Sequence, residues 1–72
     1  MKKRLPPLNA NIKRLREALH LSQVELGKRV NEGKDVICHW EKGRYSPTAS
    51  KLPLVARALG VTVDALLTKR AA

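Results

Sequence analysis

Residues 22–43, SQVELGKRVNEGKDVICHWEKG, hold two short apolar patterns separated by a polar break. In the first pattern Ser22 stands three residues before Glu25. That is the spacing of a capping box, in which each side chain takes up the other residue's backbone N–H. Leu26 and Val30 share one face at i, i+4, and Val24 sits half-exposed at its edge. Gly27 lies inside this helix and costs roughly 1 kcal/mol relative to Ala. It therefore needs a reason, and close packing of another helix over it is the expected one. The break, Asn31-Glu32-Gly33, contains two residue types that tolerate left-handed backbone. A second helix should run from Lys34 to Lys42, with Gly43 as its stop. Ile37 and Trp40 point inward, and Val36 lies beside Trp40. Lys34, Asp35, Cys38, His39 and Lys42 are left on one outward stripe.

The flanking sequence extends the helical reading. Residues 1–8, MKKRLPPL, form a basic arm whose adjacent prolines oppose helix. Asn9 is a good N-cap residue for a first helix from about Asn9 or Ala10 to His20. Ile12, Leu15 and Leu19 form its stripe, with Arg16 beside it. Thr48 or Ser50 is expected to cap a fourth helix whose first turn holds Lys51 to Pro53, where proline is tolerated. Leu52, Val55, Ala56 and Leu59 form its inward face, and Gly60 follows. Thr62 caps a fifth helix with Asp64 in its first turn, where the helix dipole favours negative charge. Val63, Leu66 and Leu67 complete the expected core. No stretch reads as a strand. The expectation is an all-α fold of five short helices, one domain over residues 9–68, with an arm at 1–8 and a frayed C-terminus at 69–72.

Composition narrows the function. Fifteen Lys and Arg against six Asp and Glu give a net charge of +9, which points to a polyanionic partner, nucleic acid before membrane. A membrane-surface helix needs a Trp/Phe/Leu face opposite its basic one. The chain has no Phe, and its one Trp is assigned to the core. No apolar run approaches the roughly 18–20 residues of a membrane span. The basic N-terminus lacks the apolar segment of an export signal. One cysteine excludes an intrachain disulfide and suits a reducing cytoplasm. His20, Cys38 and His39 are too few and badly spaced for a zinc site. Cys38 and His39 are adjacent on a helix and point about 100° apart, so they form no nucleophile–base pair. With no glycine-rich phosphate loop and no carboxylate pair, neither an enzyme nor a cofactor is expected.

Two short helices joined by a tight turn form a helix-turn-helix, whose second helix is suited to the DNA major groove. "LSQVEL", Val30, Ile37, "WEKG", "SPT" and "VARALGVTVDALL" resemble the phage repressor/Cro-like (XRE-type) helix-turn-helix DNA-binding family. The resemblance covers roughly residues 10 to 68 and implies a five-helix, lambda-repressor-like domain with its motif at 22–43. Its pattern places a small residue at Gly27. The chain departs from it at Asn31, where glycine is usual, at Glu32, where an apolar residue is usual, and at Gly33, where Ser or Thr usually caps the next helix.

The resemblance also implies roles. Ser22 and Gln23, at the start of the second helix, meet a phosphate, as free N–H groups and the dipole there favour; Gln23 also braces a recognition side chain. Lys34 suits guanine O6/N7 and Asp35 suits cytosine N4. Cys38 suits a thymine methyl, and His39 a base or phosphate. Lys42 and Arg44 hold phosphates, which position the protein without reading sequence. Arg16 pairs with Glu41 and lies near a phosphate. His20 is expected at a helix C-terminus, and Tyr45 against the loop or the DNA backbone. The function read from these features is a cytoplasmic, sequence-specific regulator of transcription, a repressor, bound as a homodimer to an inverted-repeat operator in double-stranded DNA. Leu54, Val61 and Val63 mark the expected dimer surface. Two rival readings are an antitoxin of the same fold with a toxin partner and a protein–protein adaptor.

Overall fold

Pro7, rather than Asn9, opens the first helix in the computed structural model, which describes residues 7–68. Among these residues are α1 (Pro7–Ala18), α2 (Gln23–Val30), α3 (Lys34–Lys42), α4 (Leu52–Leu59) and α5 (Val63–Leu67), with no strand. A proline at the first helical position has the required φ and leaves no N–H unpaired. The expected arm therefore loses Pro7 and Leu8 to α1, and its first six residues lie outside the described part, as do the expected frayed residues 69–72.

α1 also ends earlier than its apolar stripe suggested. His20 takes left-handed backbone (φ 58°), and the N–H of Leu21 turns back to the carbonyl of Arg16 at 3.1 Å. This reversal closes the helix at Ala18 and leaves Leu19 47% exposed instead of in the core. Leu67 is likewise 45% exposed, because α5 directs Leu66 inward and ends one residue later.

The core is built from one face of each helix: Ile12 of α1, Leu26 and Val30 of α2, Ile37 and Trp40 of α3, Val55, Ala56 and Leu59 of α4, and Leu66 of α5. α2 packs most extensively on α3. α1 lies against α3 and α5, and α4 against α2 and α5. Such short helices are marginal alone, and burial of these faces stabilises them.

Two asparagines at the start of α1 are buried with this core. Asn9 is not a cap for its own helix. Its Nδ2 donates to the Trp40 carbonyl at 2.6 Å and the Tyr45 carbonyl at 3.2 Å, and its Oδ1 accepts from Ser46 Oγ at 3.3 Å. Asn11 Nδ2 donates to the carbonyls of Leu66 and Thr68, both at 2.8 Å, and its Oδ1 accepts from Arg14. Each amide thus closes the C-terminal end of a distant helix, whose last carbonyls have no intrahelical donor.

The motif's turn gives Gly27 its reason, and the reason is not another helix. A Cβ at Gly27 would stand 2.5 Å from the carbonyl oxygen of Glu32, and the Glu32 N–H donates to the Gly27 carbonyl at 2.8 Å. The chain leaves α2 through Asn31 in the left-handed region (φ 63°) and folds its own backbone onto Gly27. Gly33 then starts α3 with φ −78° and ψ 163°, no side-chain cap and open space around its Cα. α4 lacks the expected side-chain cap as well. The Thr48 carbonyl accepts from the N–H groups of Lys51 and Leu52, while the Thr48 and Ser50 hydroxyls pair with each other.

Opposite stability changes should follow at the two glycines of the turn. Gly27→Val should destabilise by about 1–3 kcal/mol, because its side chain displaces backbone. Gly33→Ser should stabilise by about 0.5–1 kcal/mol, since serine adopts this backbone without strain, caps α3 and restricts the unfolded chain. Urea unfolding of the two variants beside the parent chain measures both.

Candidate nucleic-acid interface

α3 has a fixed inner face and a free outer one. Ile37, Trp40 and Glu41 are buried, and Lys34, Asp35 and Lys42 are exposed. Cys38 and His39 are half-buried along the border between the two. The charged members of the expected stripe are therefore brought to one side of one rigid element. Arg44, just past α3, is exposed too, and its N–H donates to the His39 carbonyl at 3.0 Å.

His39 is less outward than its place on the stripe implied. Its ring lies 5.3 Å from that of Tyr45, tilted by 47°, and its Nδ1 is buried without a hydrogen-bond partner. His39 is half-buried as a whole, so part of the residue stays accessible. Tyr45 packs against His39 and remains about half exposed.

The Glu41 carboxylate anchors this face from behind. Arg16 Nε donates to its Oε2 at 2.6 Å and Arg16 Nη2 to its Oε1 at 3.1 Å, a bidentate pair. Gln23 Nε2 donates to Oε1 at 3.0 Å, and Arg16 Nη1 closes the Leu21 carbonyl at 2.7 Å. The side chains of Arg16 and Glu41 are 12% and 4% exposed. The hydrogen bond that Arg16 donates to Glu41 holds its guanidinium above its ordinary pKa against the opposing effect of burial. Gln23 therefore braces the framework through Glu41 and not a side chain on the outer face of α3.

Ser22 completes the capping box at the start of α2. Its Oγ accepts from the Glu25 N–H at 3.0 Å, and its own N–H donates to Glu25 Oε1 at 2.7 Å. Ser22 is exposed, and Gln23 half-buried. The hydrogen bonds from Ser22 hold the Glu25 carboxyl below its ordinary range.

Three residues shape the site through contacts the sequence did not reveal. Asn9 holds the end of α3, as described above. Lys51 Nζ donates to the Val30 carbonyl at 2.9 Å and pairs with Glu32 Oε2 at 3.1 Å, tying the turn to the root of α4. Asn11 secures α5. A departure from pattern was the one available signal: a charged residue at Glu32, where an apolar one is usual, calls for a partner. Among the described residues no His, Cys, Asp or Glu cluster has the geometry of a metal site, and no helix is long and apolar enough to cross a membrane.

Residues 12–66 match the helix-turn-helix family. The immunity repressor protein of Bacillus phage phi105 is 38% identical over 56 residues, which are 78% of this chain and 39% of that protein. The chain thus spans about two-fifths of that repressor's length. An uncharacterized HTH-type transcriptional regulator of Methanothermobacter thermautotrophicus is 45% identical over 49 residues, 68% of this chain and 71% of the relative. The P22 c2 repressor protein, solved in complex with synthetic operator 9T, superposes with a TM-score of 0.83 at 28% identity, covering 94% of this chain and all of that one.

Removing one partner of the buried pair should be far worse than removing both. Arg16→Met leaves the Glu41 charge unpaired and should destabilise by about 3 kcal/mol, whereas Arg16→Met with Glu41→Leu should recover most of that loss. A denaturant double-mutant cycle reads the coupling. The stabilisation from the capping box should depend on pH. Because folding lowers the pKa of Glu25, its stabilising effect is complete above the unfolded glutamate value of about 4.3. The effect is lost as pH falls through the lower folded value. The melting-temperature gap between the parent chain and Glu25→Gln should be constant near neutrality and close in acid.

Proposed function

The chain belongs to the helix-turn-helix family, and from that premise we propose that it is a transcriptional regulator, a repressor, that binds double-stranded DNA as a homodimer and reads it with α3. The observation that carries this reading is the division of α3 into a core-fixed face and an exposed face of Lys34, Asp35 and Lys42. It is supported by the likeness of nearly the whole chain to a repressor solved on its operator.

On this reading α3 enters the major groove with its first turn against the bases. Lys34 donates to guanine O6 or N7, and Asp35 accepts from cytosine N4 and repels misplaced phosphates. Cys38 meets a thymine methyl, and His39 a base or phosphate. Ser22 and Gln23 present the start of α2 to one phosphate, with Arg16 close behind. Lys42 and Arg44 take others, fixing register without reading sequence. One α3 spans only a few base pairs, so two copies on half-sites about 34 Å apart supply the rest of the selectivity. Leu54 and Leu67 are exposed on the α4–α5 side, and Val61 and Val63 are half-buried beside them. That side is the proposed dimer surface.

Selection of bound sequences from a random duplex pool at physiological salt tests the proposal. An inverted repeat should emerge. Lys34→Ala and Asp35→Ala should each relax the preference at particular bases, with a loss of about 1–3 kcal/mol for the preferred site. Lys42→Ala should instead weaken all duplexes alike and flatten the salt dependence by about one phosphate contact. A pool that stays flat would sink the reading.

A further inference from the structure

The turn that introduces α3 has little of its own to hold it. Asn31 is in the left-handed region, Gly33 offers no side-chain cap, and position 32 carries a carboxylate. Among the described residues one long side chain reaches this turn from elsewhere. Lys51 Nζ lies 2.9 Å from the Val30 carbonyl, the end of α2, and 3.1 Å from Glu32 Oε2. The pair is partly shielded, with side chains 24% and 28% exposed, so salt screens it less than a fully exposed pair. Lys51 is itself rooted. Its N–H donates to the Thr48 carbonyl at 2.9 Å, and its carbonyl accepts from the N–H of the buried Val55 at 3.1 Å. Glu32 is thus held twice, by backbone to Gly27 of α2 and by side chain to the root of α4, and α3 begins two residues later.

We propose that Lys51 and Glu32 form a polar strap that holds the start of α3 in its reading position, making both of them positioning residues for sequence-specific DNA binding. The inference rests on the DNA-reading function proposed above. In this chain a charged side chain stands at position 32, where the resemblance implies an apolar one. Glu32 borders an open groove whose other walls include Val36, Trp40 and Pro47, so an apolar side chain at 32 has apolar surface to cover. Lys51 acts through the turn and not on the DNA.

The rival role for Lys51 is a plain phosphate contact, and Glu32 separates the two. If Lys51 only attracts phosphate, removing the neighbouring carboxylate strengthens DNA binding. If Lys51 and Glu32 form a strap, removing either partner weakens it. The experiment measures affinity of the full chain for the duplex the parent chain selects, and for a scrambled duplex, with Lys51→Ala, Glu32→Gln and the double variant Glu32→Leu/Lys51→Met. Amide hydrogen exchange is followed in the same proteins without DNA. Lys51→Ala and Glu32→Gln should each lower affinity for the selected duplex by about two- to fivefold, the scale of one partly shielded ion pair. The scrambled duplex should respond less, and the double variant should recover most of the loss. Exchange at Val36 and Ile37, whose N–H groups bond to the Gly33 carbonyl, should quicken by a similar factor in both single variants, with Leu66 in α5 changing less.

Tighter binding by Glu32→Gln, or unchanged exchange at Val36 and Ile37 in Lys51→Ala, would overturn the strap. A parent chain that selects no duplex would instead refute the DNA reading, and the exchange data would still decide whether the strap holds α3.

Discussion

A single carboxylate, Glu41, joins α1, α2 and α3. It sits on the inner face of α3, takes a two-pronged donation from Arg16 of α1, and accepts from Gln23 at the start of α2. Burying a carboxylate is unfavourable unless its lone pairs are filled, and here three N–H donors fill them. Hydrophobic contacts alone leave a helix free to slide or roll by small amounts, since apolar burial is non-directional. The fork of Arg16 has fixed geometry and removes that freedom. α3 therefore presents a defined outer face because its inner face is locked by hydrogen bonds with direction as well as by Ile37 and Trp40.

Net charge and the local charge of this face are different quantities. Lys2, Lys3, Arg4, Lys69 and Arg70 together equal five of the nine net positive charges. Among the described residues, Arg16 is matched by Glu41 and Lys51 by Glu32. The exposed cations of the face are Lys34, Lys42 and Arg44, with Asp35 among them. The global charge suits long-range attraction to any polyanion. The mixed face suits discrimination, because an acid next to lysines penalises every contact that does not supply a donor.

Features that depend on local chemistry were legible in the sequence. The bounds of α2 and α3, the capping box, Thr62, Gly43, Gly60 and the inward positions of the motif follow from spacing within a few residues. The Arg16–Glu41 pair was legible through family resemblance and not through periodicity. Periodicity overextended α1 and assigned Leu19 and Leu67 to the core, but a helix stripe does not say where the helix stops or which of two adjacent leucines turns inward. His20 carries no glycine-like signal for its left-handed backbone, so the end of α1 is set by the chain's need to turn into α2. Asn9 was misread for the converse reason. Asparagine next to a helix start is a common N-cap, and nothing nearby reveals that its amide is taken by carbonyls more than thirty residues away.

Those distant amides belong to a general constraint on a domain of this kind. Five helices of 5 to 12 residues have as many C-terminal ends as five long ones, and each end exposes carbonyls that its own helix leaves unpaired. With so little chain, several ends fall inside the packed body, where water is a poor substitute donor. Four side chains supply what is missing: Asn9 for α3, Asn11 for α5, Lys51 for α2 and Arg16 for the turn after α1. Each comes from a different part of the chain than the end it closes, except Arg16, which lies in the helix it leaves. The polar residues set into the core thus knit one helix to another. The same bonds that satisfy orphan carbonyls fix α2, the turn and α3 against α1 and α4, which is the rigidity a reading face requires.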